Sequence, residues 1–144
     1  MQTDLINLIQ EIHNSNRFGI VCETGCGQPV AQSLYAISGA SKTIFFSESP
    51  YSKVYQDEKF GFDENRAVSL EKVQHFLKHY VERYTNCNFY YVASFQIGDE
   101  TNKITTHGWI GYYSRLEADQ GVKFYHVSIY EAMSRQSVFL RLAE

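Results

Sequence analysis

Proline is nearly missing from this chain, with two residues, and tryptophan occurs once. No proline-rich linker, repeat or low-complexity tract divides the sequence, so no boundary between domains is expected. Cysteine is scarce too: three residues, an odd number, with no Cys-x-x-Cys pair and no Cys/His grouping at zinc spacing. That excludes a disulfide framework and a zinc-ribbon type of metal site, and free thiols suit a reducing compartment. An excess of basic charge is also absent. Thirteen Lys and Arg stand against 16 Asp and Glu, a net charge of −3, so no basic face is available to neutralise phosphates and no nucleic-acid partner is expected. No apolar run approaches the roughly 18 residues of a membrane span, so no membrane partner is expected either. Met1-Gln2-Thr3-Asp4 carries no basic or apolar leader segment. A cytoplasmic protein without metal or cofactor is the expectation.

What is present is apolar and aromatic. With 144 residues, 44% of them hydrophobic, the chain is long enough for one domain with a sizeable core. Ten Phe and 11 Tyr read as well-filled sheet positions, and aromatic strand faces of that kind suit a homo-oligomer interface.

The organising stretch begins at Phe18-Gly19-Ile20-Val21-Cys22, an unbroken apolar run that reads as a buried strand over 17–22. Glu23-Thr24-Gly25-Cys26-Gly27 follows, where glycine lets the backbone turn sharply. Pro29 then opens a helix over about 28–37. Strand, glycine turn and helix start together predict free N–H groups and a positive dipole end suited to an anion. The turn is no Walker A loop, because no Gly-Lys-Ser/Thr follows it. Cys26, between two glycines at a helix start, is a candidate nucleophile whose thiol pKa this position would lower.

Around this stretch the periodicity is clear. Leu5, Ile6, Leu8, Ile9 and Ile12 predict an N-terminal helix ending near Asn14. Thr43-Ile44-Phe45-Phe46 predicts a second strand, and Pro50 a short helix that stops around Gly61. Ser69 predicts an N-cap for a helix carrying the stripe Leu70, Val73, Leu77, Tyr80 and Tyr84. Strands are expected at 89–97, 104–113 and 122–128, the first two forming a hairpin, with a closing helix over 131–142. Helices interleave with the early strands and the late strands run consecutively. The fold class that follows is α/β: three α/β/α layers on a mixed five-stranded sheet. His75 and His79, four apart, read as part of a solvated helix face rather than a metal pair, and His107 as a structural histidine.

Cys22-Glu23-Thr24-Gly25-Cys26-Gly27, Ser38-Gly39-Ala40-Ser41, Tyr51-Ser52 and Arg66-Ala67-Val68-Ser69 together resemble the CinA C-terminal domain family. That family includes nicotinamide mononucleotide amidohydrolases, which release ammonia from the nucleotide's carboxamide. Its pattern Ala-Glu-Ser-x-Thr-Gly-Gly, then Pro-Gly-Ser-Ser, then Tyr-Ser-Asn-Glu-Ala-Lys, lies on 22–56 without a gap. The resemblance implies the three-layer fold and a small-molecule nucleotide as partner. It implies catalytic positions at Thr24, in place of the family's serine, at Tyr51, and at Gln56, in place of its general-base lysine. It also implies ligand-binding positions at Glu23, Gly25, Gly27, Ser52 and Arg135. The glycine-rich loop after the third strand is shortened here to Phe95-Gln96-Ile97-Gly98-Asp99. Threonine's extra methyl crowds an attack, and glutamine cannot take up a proton as a neutral lysine can. Lys53 and Lys59, three residues to either side of Gln56, are the candidate substitute bases. Three functions follow: a nucleotide-binding or regulatory domain with impaired hydrolysis, an active amidohydrolase using Thr24 or Cys26, or an oligomeric scaffold. The first is favoured, with Thr24 and Tyr51 expected to line one cavity.

Overall fold

The computed structural model describes residues 1–61, 68–98 and 105–129. The expected closing helix at 131–142, Arg135, Arg66 and Ala67, and most of the hairpin turn lie outside them.

The apolar run forms β1 (Gly19–Thr24), buried along its whole length. It lies between β2 (Ile44–Glu48) and β3 (Phe89–Gln96) and is parallel to both. β4 (Thr106–Ser114) and β5 (Gly121–Ile129) follow antiparallel, giving the mixed five-stranded sheet in the order β2-β1-β3-β4-β5. Four helices are described: α1 (Thr3–His13), α2 (Pro29–Tyr35), α3 (Lys53–Phe60) and α4 (Leu70–Arg83).

Strand side chains alternate between faces. Ile20 and Cys22 of β1, with Tyr90 and Val92 of β3, join Phe60 of α3 and Phe76, Leu77 and Tyr80 of α4 in one core. Val21 and Phe89 join Ile9 of α1 and Ala31 and Leu34 of α2 in the other. The sheet is therefore the middle of three layers, as the helix–strand order predicts. From β1 the chain passes through α2 to β2 on one side, and from β2 through α3 and α4 to β3 on the other. Winding thus reverses between β1 and β3, and in open α/β sheets the crevice at the carboxyl ends of such strands is the usual ligand position.

Capping sets the helix boundaries. Ser69 Oγ accepts the Lys72 N–H at 3.1 Å, the N-cap expected for α4. The start of α3 differs from expectation: it begins at Lys53, not at Pro50. Ser52 is its N-cap, with Oγ accepting the Tyr55 N–H at 3.1 Å. A hydroxyl that satisfies a free helix amide fixes the first turn better than a proline two residues upstream. His75 and His79 also depart from a purely solvated face. Both are half-buried under α3: His75 Nε2 lies 2.7 Å from the Phe60 carbonyl, and the His79 ring meets Phe60 edge-on.

Candidate functional site

The turn after β1 is held tightly against β3. Gly25 has φ +85°, and a Cβ there would lie 1.8 Å from the Phe95 carbonyl oxygen, so only glycine fits. Alternation sends Glu23 toward α2, where its Oε1 accepts the Val30 N–H at 2.9 Å and its Oε2 the Ala31 N–H at 3.2 Å. The amides that the sequence offers to a ligand's anion are thereby taken by the chain's own carboxylate. Glu23 is buried, and loss of solvation pushes its carboxyl up to about 7, with the two amide hydrogen bonds opposing the change.

Cys26 also departs from expectation. The turn that was to expose its sulfur buries it, at 1% exposure. Desolvation, and then the nearby Glu23 charge, push the thiol up to about 12 rather than down. A helix start lowers a thiol pKa only where its amides point at the sulfur. Here they point at Glu23.

Beside this turn, at the carboxyl ends of β1 and β2, lies a cleft of about 560 Å³. Cys26, Gly27, Gln28, Gln32, Tyr35 and Ser47 contribute to its lining, with Pro29, Ala31 and Ser49. All of these are uncharged. Tyr35 Oη and Ser47 Oγ lie 3.0 Å apart across it. The lining is largely apolar, and its polar groups are hydroxyls and amides, which suits a ligand with an uncharged hydrogen-bonding group.

The structure does not gather the sequence-predicted residues into that cleft. Gly27 and Cys26 line it; Thr24 and Tyr51 do not. Thr24 is buried on the face of Ile20 and Cys22, toward α3 and α4, whereas Tyr51 is 72% exposed. Gln56 is buried, with Nε2 donating to the Pro50 carbonyl at 2.8 Å and toward that of Tyr51 at 3.4 Å, so it ties down the approach to α3. Ser52 caps that helix. Lys53 pairs with Asp57 at 2.7 Å on the exposed side. Lys59 Nζ lies 2.8 and 2.9 Å from the two Glu48 oxygens. Burial lowers the Lys59 pKa, but its bonds to Glu48 outweigh that and leave it raised, so this lysine stays charged.

Sequence reasoning missed Glu48 and Tyr80 as partners. The Tyr80 hydroxyl donates to Glu48, and Glu48 stands opposite Cys22 in the β1–β2 ladder. No spacing rule joins residues 32 positions apart; only the register of β2 against β1 does. Among the described residues no group of three His, Cys, Asp or Glu side chains could hold a metal ion. No helix among them is long and apolar enough to cross a membrane.

The class these features define is an open, mixed α/β domain with a cleft at the carboxyl edge of its parallel strands. No family profile matches the sequence, and no curated protein matches it. Solved structures do. The competence/damage-inducible protein CihA from Agrobacterium tumefaciens superposes with a TM-score of 0.76, covering 99% of this chain and 91% of its own at 16% identity. The competence damage-inducible protein A (ComA) from Klebsiella pneumoniae gives 0.72 at 13% identity, over 97% of this chain and 88% of that one. A CinA superfamily protein from Escherichia coli gives 0.68 at 12% identity, over 96% and 81%. The fold is that of the CinA-type structures.

Proposed function

We propose that this chain is a CinA-like ligand-binding domain that holds the carboxamide of a small nucleotide in the cleft between α2 and the end of β2, without efficient hydrolysis. The observation that carries this reading is that the only polar groups lining the cleft are uncharged amides and hydroxyls, beside a helix start already satisfied by Glu23. A carboxamide needs both a donor and an acceptor, which Gln28, Gln32, Tyr35 and Ser47 can provide. A phosphate finds no cation in the cleft and would remain toward solvent. Weak hydrolysis follows from the groups at hand. Gln56 cannot serve as a base and its amide is engaged, while Lys59 is held in its charged form by Glu48. Loss of a positioned base lowers a rate by about 10² to 10⁴.

Thermal-shift titration with nicotinamide mononucleotide and with nicotinamide riboside, run beside an ammonia-release assay, tests this. Both compounds should raise the melting temperature by similar amounts, Gln32→Ala should diminish the rise, and no ammonia should accumulate. Rapid ammonia release abolished by Thr24→Ala would establish the active amidohydrolase instead. Stabilisation by the mononucleotide and by inorganic phosphate, but not by the riboside, would overturn the carboxamide reading.

A further inference from the structure

The two edges of the sheet are built differently. β2, at one end, has five residues, and its pairing jumps from Ile44 opposite Gly19 to Phe46 opposite Ile20, so Phe45 is an inserted bulge residue. Shortness and a bulge are two of the means by which an edge strand is kept from pairing with another chain. β5, at the other end, has neither. Its nine residues pair with β4 in one unbroken register, from Gly121 opposite Ser114 to Ile129 opposite Thr106. Gly121-Val122-Lys123-Phe124-Tyr125-His126-Val127-Ser128-Ile129 contains no proline, and Lys123 is its one Lys, Arg, Asp or Glu.

Among the described residues β5 ends the sheet, so its outward N–H and C=O groups have no ladder partner there. Side chains are open on both faces. Val122, on the face of α4, is 53% exposed, and Tyr125, on the face of α2, is 52% exposed. α4 itself packs on β3 and β4, which leaves the approach to β5 clear. A long, regular, apolar edge of this kind is a template for one more strand, because alternating donors and acceptors are matched by another strand's backbone.

A second β5 is the strand that fits. An antiparallel pair related by a two-fold axis perpendicular to the sheet sets each residue opposite one on the same face. With the axis at Tyr125, the middle residue, all nine positions overlap. Tyr125 then meets Tyr125 of the second copy, Phe124 meets His126, Lys123 meets Val127 and Val122 meets Ser128. No like charges are opposed. The two Lys123 side chains stand four residues apart along the ladder, about 13 Å, which exceeds the screening length in physiological salt. The blunted β2 edge offers no second template, so the contact closes as a dimer and does not continue as a filament.

We propose that two copies of this chain join through β5, antiparallel about a two-fold axis at Tyr125, into one continuous sheet. The cleft lies at α2 and the end of β2, the opposite edge, so it stays open in both copies. The dimer does not depend on what the cleft binds.

Sedimentation of the full chain should show a monomer–dimer equilibrium with a micromolar dissociation constant, as a contact built on one strand pair implies. Tyr125→Glu places two carboxylates on the axis and should weaken the dimer about tenfold. Tyr125 is exposed, so this variant should melt with the wild type. Cysteine substitutions read the register, because the chain's own Cys22, Cys26 and Cys87 are buried. Tyr125→Cys sets two thiols opposite each other with Cα atoms about 5 Å apart, within disulfide reach, and should give a linked dimer on a non-reducing gel. Val122→Cys, about 20 Å from its counterpart, should not. A wild type that stays monomeric at about 100 µM would overturn the proposal. So would a dimer unaffected by Tyr125→Glu, or one that links through Val122→Cys as readily as through Tyr125→Cys, since either would put the contact elsewhere.

Discussion

Glu23 turns a sequence expectation around. The family resemblance implied a ligand contact, and the structure makes it the internal cap of α2. Burial raises its folded-state pKa to about 7 from an ordinary 4.5. Between those values the folded chain holds a proton that the unfolded chain has released. This group's favourable share of stability is therefore complete below about pH 4.5 and is lost as the pH climbs to about 7. The upper bound is about 1.4 kcal/mol for each pH unit separating the two values. In Glu23→Gln that dependence should vanish, so the drop in unfolding free energy between pH 5 and 8 should be smaller than in the wild type by about 1–3 kcal/mol. Urea titrations at the two pH values measure it; parallel pH profiles would show that Glu23 keeps its usual carboxyl behaviour.

The same contrast appears among the helices. α4 was legible because Ser69 and the Leu70, Val73, Leu77, Tyr80 stripe agree on one start and one buried face. α3 was legible only in part. Pro50 drew attention to itself, while Ser52, the residue that caps the helix, looked like a binding position. Ser52→Ala should cost about 1 kcal/mol through loss of that cap. The cap also orders the segment on which Gln56 holds the Pro50 carbonyl. If instead Ser52 serves a ligand, the alanine variant will keep its stability and lose the rise in melting temperature given by nicotinamide mononucleotide.

For the molecule as a whole, the two cores differ in kind. The one under α1 and α2 is mostly aliphatic, whereas the one under α3 and α4 is built from large rings, with Phe60 and Phe76 stacked at 3.8 Å. Phe76 bridges α3, α4 and the sheet. Phe76→Ala should destabilise the fold by about 3–5 kcal/mol, a fall in melting temperature readable by circular dichroism, because a cavity of ring size cannot close. A loss under about 1 kcal/mol would mean that α3 and α4 repack around the gap.

The sequence alone determined the number and order of the described strands, the three layers and the sharp glycine turn after β1. Each of these follows from local spacing and composition, which tertiary contacts refine without reversing. Which groups meet was decided only in three dimensions. The turn of Cys26 into the interior, the capture of α2's amides by Glu23, the pairing of Lys59 with Glu48 and the row from Thr24 through Ser94 and Trp109 to His126 depend on strand register. Register joins residues up to about a hundred positions apart through a period of two, and a slip of one residue would send the strand side chains among them, Glu23, Glu48 and the row from Thr24, to the other face.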